Sequence, residues 1–194
     1  MSDIPTDLQR LADRSAIQDC VHRYARGIDR RNWAFLASAF HPGATLHQGD
    51  FKGTIEEMLA NVAARHAAIE QSAHLLTNIL VEFADTDTAV VETYYLAYLR
   101  NAHLPAIVRT ALLGGGAPEA GKIDMRSLGR YIDRFERRNG EWRIAKRICI
   151  AETLSGTAVP DGNPLSANWA MASRDPDDAL WSMRAEVGLE QAAE

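Results

Sequence analysis

Two side chains that can take part in proton chemistry, Tyr24 and Asp29, lie near the end of the first helical pattern in the chain. Apolar residues recur at helical spacing in this stretch, at Ile17, Cys20, Val21, Tyr24, Ala25 and Ile28. The spacing predicts a helix over 15–29 with one buried face. Asp29 lies about 120° from the centre of that face on a helical wheel, so its carboxylate faces either a cleft beside the core or solvent. In the second case it would form an ordinary ion pair with Arg30 or Arg31.

His74 is the third candidate, and it opens a segment in which residues alternate in polarity up to Phe83. This alternation predicts a strand, with Leu75 and Ile79 on one face and His74 on the other. The unperturbed pKa of histidine, about 6.5, suits a general base that works near neutral pH. The alternative is a histidine that is hydrogen-bonded within the structure and has no catalytic part.

Arg147 is the fourth candidate. It lies between Ala145 and Cys149 on one face of a predicted strand, and these small neighbours leave room for a long side chain or a ligand. A buried guanidinium requires an anion or several hydrogen-bond acceptors. It would therefore stabilise a negative charge on a ligand or form a structural ion pair with Asp133 or Glu152.

The remaining patterns place these candidates on separate elements. They predict helices over 15–29, 32–40, 54–71 and 177–189, and strands over 44–48, 74–83, 89–100, 125–138 and 141–151. A capping box at Thr54–Glu57 marks one helix start, and Asn139–Gly140 marks a tight hairpin. The segment 101–122, rich in glycine and proline, is predicted to be a long loop.

Helices that precede a run of strands indicate an α+β fold rather than a parallel doubly wound sheet. We expect a curved antiparallel sheet wrapped around the N-terminal helices, forming a cone with an internal pocket. Residues 1–155 would form this domain, and residues 156–194 would form an extension that packs on the domain or on a neighbouring subunit.

Composition narrows the class of protein further. The chain has 194 residues and a formal net charge of −5, which argues against nucleic acid or an anionic membrane as the main partner. Its start lacks the pattern of a signal peptide and no stretch is apolar enough to span a membrane, so we expect a cytoplasmic protein. No spacing of histidine, cysteine and acidic residues suggests a metal site, and the glycine run 114–116 is not a phosphate loop. We therefore expect neither metal nor cofactor.

Two segments, 11–19 and 134–147, resemble the SnoaL-like branch of the nuclear-transport-factor-2-like superfamily, and the likeness spans residues 8–154. The branch includes hexachlorocyclohexane dehydrochlorinase and bile-acid 7α-dehydratase, and scytalone dehydratase is more remote. The resemblance implies that Asp29 and His74 form a dyad, in which the histidine abstracts a proton and the aspartate orients it. Tyr24 matches a tyrosine of the dehydratase, and Arg147 matches an arginine of the dehydrochlorinase.

Four further residues are weaker candidates for lining the substrate pocket: His47, Tyr94, Tyr98 and Trp33. His47 stands where the dehydratase has a tyrosine, and Tyr98 stands near the position of one of its acidic residues. Trp33 is expected mainly as a core residue.

These sequence features together predict a cofactor-independent lyase acting on a small, largely apolar aromatic or polycyclic molecule. Tyr24 would donate a hydrogen bond to a leaving hydroxyl or an enolate oxygen, unless it is only a core tyrosine. An isomerase or cyclase would use the same residues. The non-catalytic alternative is the β subunit of a ring-hydroxylating dioxygenase. The resemblance also suggests a homotrimer.

Overall fold

The computed structural model describes residues 4–115, 121–160, 162 and 168–189. Its helices are α1 (Ile4–Asp29), α2 (Trp33–Ala37), α3 (Ile55–His66), α4 (Ala106–Leu113) and α5 (Ala179–Glu186). Its strands are β1 (Phe40–Gln48), β2 (Phe51–Thr54), β3 (Ile69–Phe83), β4 (Thr88–Asn101), β5 (Ile123–Arg138) and β6 (Glu141–Ala158).

The six strands form one curved sheet in the order β2-β1-β6-β5-β4-β3. The predicted α+β class, with the N-terminal helices inside the curve of the sheet, is confirmed. One pairing differs from the antiparallel sheet that we expected. Strands β1 and β6 run parallel, with Thr45 opposite Lys146. The hairpin partner of β1 is β2, and the elements from β2 to β5 separate β1 from β6 in the chain.

Helix α1 supplies the centre of the core. It begins at Ile4 rather than at the predicted Ser15, and its apolar stripe is fully buried at Ile17, Cys20 and Val21. The stripe packs against α2, β3 and β6. The helix therefore holds its last turn, with Asp29 at its end, against the sheet.

Several predicted boundaries shift because pairing in the sheet overrides helical spacing. Helix α2 ends at Ala37 and Phe40 already belongs to β1. Helix α3 ends at His66 instead of continuing to residue 71, because Ile69 pairs with β4. Strand β6 continues beyond residue 151 to Ala158, alongside β5.

The segment 101–122 is not a continuous loop. It contains α4, whose Arg109 is buried and donates a hydrogen bond to the carbonyl of Gly121 at 2.7 Å. Residues 116–120 lie outside the described part of the chain. A short helix thus follows Pro105 where glycine and proline content predicted irregular structure.

Both predicted local signals are present. The Thr54 hydroxyl accepts from the amide of Glu57, whose carboxylate accepts from the amide of Thr54, as a capping box requires. Asn139 and Gly140 have φ angles of 53° and 81°, the two positive values that a type I′ turn needs. This turn joins β5 and β6, the strands that carry Asp133 and Arg147.

Gly27 allows α1 and α2 to approach closely just before Asp29. A Cβ at this position would lie 2.6 Å from the backbone nitrogen of Leu36 and 2.7 Å from its Cα. Gly27→Ala should therefore destabilise the fold by about 1–3 kcal/mol, the usual cost of overpacking, although alanine favours helices more than glycine does. Urea unfolding measures this loss. Gly115→Ala is the control, since no atom lies within 4 Å of its added Cβ, and an equal effect in both variants would contradict the explanation.

Candidate active site

His74 and Asp29 form a hydrogen-bonded pair between the end of α1 and the first half of β3. His74 Nδ1 lies 2.7 Å from Asp29 Oδ1, and the two side chains are 7% and 13% exposed. The backbone amide of His74 donates to the other carboxylate oxygen at 2.8 Å, and the Ser72 hydroxyl donates to Oδ1 at 2.6 Å. The carboxylate is thus fixed by three donors from one strand.

The ion pairs considered for Asp29 from the sequence are not the ones that form. Arg30 lies 3.6 Å from the carboxylate of Asp178, and Arg31 lies 3.6 Å from that of Asp175. Both arginines therefore pair with the C-terminal segment, and Arg31 also donates to the Ile69 carbonyl of β3 at 2.8 Å, while the Asp29 carboxylate accepts from Ser72 and His74.

The environment of Asp29 favours its charged form. Burial alone would raise the pKa of this carboxyl, but the hydrogen bond and charge of His74, together with the bonds from Ser72 and the His74 amide, lower it below its usual range. An ionised Asp29 accepts the proton on His74 Nδ1. This leaves Nε2 as the acceptor nitrogen, and Nε2 makes no hydrogen bond to any described residue.

Arg147 and Tyr24 form a second buried group. Arg147 donates from Nε and Nη2 to both carboxylate oxygens of Asp133 at 2.7 Å, with the two side chains 2% and 0% exposed. Of the two acids proposed from the sequence, Asp133 is thus the partner, and Glu152 instead binds Arg130. Burial lowers the pKa of Arg147, but the Asp133 carboxylate raises it by more, so the guanidinium stays charged.

The Arg147 guanidinium is also enclosed by aromatic rings. Its central carbon lies 4.2 Å from the ring centroid of Tyr24 and 4.1 Å from that of Tyr131, a favourable cation–π arrangement. Its Nη1 nitrogen is buried without a hydrogen-bond partner among the described residues. Burial raises the pKa of Tyr24 more than the Arg147 charge lowers it, so the phenol keeps its proton as a donor.

Sequence reasoning missed two tyrosines of this group, Tyr95 and Tyr131. Their rings stack with centroids 4.4 Å apart, and Tyr131 meets Tyr24 edge to face at 5.5 Å. Both lie on the inner face of the sheet, as the burial of alternate residues along β4 and β5 shows. The alternation in β4 could have indicated this, because Tyr95 is four residues after Val91 and therefore lies on the same, buried face of the strand.

The four weaker candidates do not gather around the His74–Asp29 pair. His47 follows the buried Leu46 in β1, and its side chain is exposed on the other face of the strand. Tyr94 lies on the outer face of β4 beside Arg130. The predicted placement of these two in the pocket is therefore not observed, because strand alternation turns them outwards. Trp33 packs at the edge of the core and meets the His66 ring at 5.9 Å.

Tyr98 borders a small cleft of about 90 Å³ behind the pair. The cleft lies between the start of β3, with Gln71 and Ser72, and the C-terminal segment, with Ser173. Tyr98 is on the outer face of β4, where Arg100 approaches its hydroxyl at 3.4 Å. Tyr98 thus shares this cleft with Ser72, which donates to Asp29, and it does not face the inner side of the sheet, where the predicted substrate pocket would lie.

The C-terminal segment reaches the same region through Arg174, which is 5% exposed. Its guanidinium donates to the backbone carbonyls of Ile28, Asp29 and Ile69 at 2.7–2.9 Å and to the Nδ1 atom of His66 at 2.8 Å. Accepting this bond requires His66 to be neutral at Nδ1.

This contact makes the stability of the protein depend on His66 at acidic pH. Burial, reinforced by the Arg174 charge, lowers the pKa of His66 to about 3. Between pH 6.5 and 3 the unfolded chain therefore binds a proton at His66 that the native state does not, and this contribution to stability falls by about 1.4 kcal/mol per pH unit as pH decreases. His66→Gln should remove this slope from the unfolding free energy. The exposed His103→Gln should keep it, and identical slopes in the two variants would contradict the prediction.

Among the described residues, no three histidine, cysteine or acidic side chains cluster as metal ligands would. None of the described helices has the length and apolar character needed to cross a membrane.

The chain belongs to the SnoaL-like domain family, whose model matches residues 9–148. Among solved structures, a type 2 hexachlorocyclohexane dehydrochlorinase (LinA) is 23% identical with a TM-score of 0.64, over 81% of this chain and 97% of that chain. A scytalone dehydratase-like protein from Novosphingobium aromaticivorans is 19% identical with a TM-score of 0.64, over 84% and 99%.

A third similar structure, also from Novosphingobium aromaticivorans, is described as an aromatic ring hydroxylase. It is 21% identical with a TM-score of 0.59, over 76% of this chain and 94% of that chain. No curated protein sequence matches. At these identities the structural likenesses establish the fold alone.

Proposed function

We propose that this protein is a cofactor-independent lyase that eliminates water, halide or a small fragment from a largely apolar ring compound. The observation that carries the proposal is the 2.7 Å contact between His74 Nδ1 and the ionised, three-fold hydrogen-bonded Asp29. This arrangement fixes the histidine tautomer and stabilises the imidazolium that forms when Nε2 takes a proton.

For release of a small carbon fragment, His74 Nε2 would take a hydroxyl proton, the O–H electron pair would form the new C=O bond, and the carbon that keeps the electrons of the broken C–C bond would take the proton back from His74. Loss of water or halide is a β-elimination that uses the same groups. His74 Nε2 removes a proton from a carbon next to the one that bears the leaving group. The C–H electron pair becomes the new carbon–carbon double bond, and the leaving group departs with the electrons of its own bond. The proton on His74 then passes to the departing hydroxide or to solvent. A carbon acid and a leaving group suffice, so the scheme invokes no cofactor.

Tyr24 is the group proposed to stabilise the leaving atom or a developing oxyanion. It lies five residues before Asp29 on α1, which places the two Cα atoms about 9 Å apart in an α-helix. The substrate would lie between the Tyr24 phenol and Nε2 of His74, the atom that takes the proton. Arg147 would assist through Nη1, the nitrogen that Asp133 does not bind. Arg147 would also hold the Tyr24 ring in place, because its guanidinium packs against that ring.

The apolar side chains on the inner face of the sheet support the proposed substrate class, a largely apolar ring compound. Tyr95, Tyr131 and Leu76 supply apolar surface on neighbouring strands, and such surfaces favour ring compounds with few polar groups. Two of the similar solved structures support this choice, since one is named as a hexachlorocyclohexane dehydrochlorinase and the other as a scytalone dehydratase. An isomerisation or cyclisation would begin with the same proton transfer.

A second candidate, the β subunit of a ring-hydroxylating dioxygenase, is favoured by the outer face of the sheet. Leu75, Leu96 and Leu128 are cross-strand neighbours there, and they are 52%, 37% and 39% exposed. The likeness to a protein described as an aromatic ring hydroxylase supports it as well. A partner subunit or further copies of this chain, as in the proposed homotrimer, would cover such a row.

Native mass spectrometry and a product assay separate the two candidates. The purified protein is weighed intact and then incubated with chlorinated cyclohexanes and hydroxylated polycyclic compounds, and the products are analysed by gas chromatography. A homo-oligomer that forms alkenes with release of halide or water supports the lyase. A protein that forms no product from either class, and that assembles only with a second polypeptide, would refute it in favour of the subunit.

A further inference from the structure

Arg174 lies behind the His74–Asp29 pair, in a segment that the proposed chemistry does not use. It bridges two parts of the backbone that are far apart in the chain, the end of α1 and the start of β3. Its Nε and Nη2 atoms donate to the carbonyls of Asp29 and Ile28 at 2.9 and 2.8 Å, and Nη1 donates to the carbonyl of Ile69 at 2.7 Å.

The first two carbonyls belong to the group that every α-helix leaves without intrahelical partners at its C-terminus. Within α1, the carbonyls of Arg26 and Gly27 are satisfied by the amides of Arg30 and Asn32. The next two carbonyls, of Ile28 and Asp29, accept from Arg174. A cation at this end of a helix is also favoured by the helix dipole. Arg174 thus caps the helix whose last residue is Asp29.

The third carbonyl connects the cap to the other half of the pair. Ile69 begins β3, the strand that presents Ser72 and His74 to the Asp29 carboxylate. Arg31, which follows α1, also donates to the Ile69 carbonyl, at 2.8 Å. Arg174 is the guanidinium that binds the last carbonyls of α1 and the Ile69 carbonyl together, so it helps to set the distance between the last turn of α1 and the start of β3. The three donors on the Asp29 carboxylate depend on this same distance.

We propose that Arg174 is a positioning residue for the His74–Asp29 pair. The C-terminal segment, which carries Arg174, would then help to maintain the geometry of the site. The proposal concerns the geometry of the pair, and its effect on turnover rests on the proposed function. Lysine does not replace arginine here, because a single ammonium lacks the rigid fork that reaches carbonyls on two elements.

The charge and burial of Arg174 are consistent with this part. Burial, with a contribution from Arg31, lowers its pKa to about 10, so it remains a cation at neutral pH. Its four hydrogen bonds offset the cost of placing that cation in the interior. The neighbouring Arg30 and Arg31 are more exposed and pair with acids of the same C-terminal segment, which holds residues 174–178 against the helix end.

The test compares Arg174→Met and Arg174→Lys with the wild-type protein and with Arg138→Met. Arg138 is a half-exposed arginine near the β5–β6 turn that pairs with Glu136, so it controls for the loss of an ion-paired arginine. The readout is the proton NMR signal of His74 Nδ1–H and its exchange with water, assigned by its absence in His74→Gln. This readout requires no substrate and holds whether or not the proposed reaction is correct.

We expect the signal to be lost or to exchange faster with water in both Arg174 variants and to be unchanged in Arg138→Met. Once a substrate is known, Arg174→Lys should lower kcat by about 10-fold or more with little change in KM, because a small displacement of a catalytic group lowers the rate of the chemical step. If Arg174→Met does not fold, Arg174→Lys and Arg174→Gln decide. A folded Arg174 variant with a lower Tm but an unchanged His74 signal would overturn the proposal and leave a purely structural cap.

Discussion

His74→Ala is expected to lower kcat at least about 100-fold, the usual size of the loss of a general base. The reason is that Nε2 is the proton-accepting atom in the proposed elimination, while Nδ1 is committed to Asp29 at 2.7 Å. Steady-state rates on the substrate found by the product assay measure this effect. Because the change removes an interaction used in the chemical step, KM should change less than kcat.

Asp29→Asn should show the same loss by another route. An amide at this position can donate to Nδ1 and so favour the tautomer with its proton on Nε2, which cannot act as a base. His22→Ala, an exposed histidine on the same helix, is the control and should retain wild-type activity. Near-normal turnover by His74→Ala would end the general-base hypothesis, whatever the outcome for Asp29.

Asp133→Ala is expected to destabilise the protein by about 3–5 kcal/mol, because it leaves the buried Arg147 charge without its partner. Both groups are almost completely enclosed, and both hydrogen bonds of the pair are 2.7 Å long. The double variant Asp133→Leu/Arg147→Met should recover most of the loss, since two apolar side chains of similar size carry no unpaired charge. Denaturant unfolding of Asp133→Leu, Arg147→Met and the double variant gives the coupling energy of the pair.

The same double variant separates the two roles of Arg147. If it folds with near wild-type stability and has lost activity, Arg147 takes part in the reaction, either through Nη1 or by holding the Tyr24 ring. If it keeps activity, the arginine serves only the stability of the fold. A double variant as unstable as Asp133→Ala would contradict the explanation based on an unpaired charge.

The meeting of Asp29 and His74 could be predicted because each lies at a boundary that the sequence marks. Asp29 ends an apolar helical stripe and His74 lies where alternation begins, and the family resemblance connects the two positions. The choice between Asp133 and Glu152 as the partner of Arg147 could not be made in this way. A register shift near Ala145 places Asp133 opposite Arg147, and such bulges leave no reliable pattern in a single sequence.

A second register shift, between Leu76 and Ile79 in β3, changes which residues of that strand face the core. Strict alternation put Leu75 and Ile79 together, but Leu75 is half exposed while Leu76 and Ile79 pack against the core. Arg174 was beyond prediction for another reason. It lies 145 residues from Asp29 in the chain, and nothing in its local sequence indicates a tertiary helix cap.

The parallel pairing of β1 with β6 also bears on how the chain reaches its native state. Strand β1 leaves the ribosome early, but the neighbour that completes it is the last strand of the sheet. Pairings between such distant segments form slowly, because the intervening chain must be ordered first. A nascent chain would therefore expose one edge of β1 until β6 arrives, and the site would become competent only after most of the domain had been synthesised.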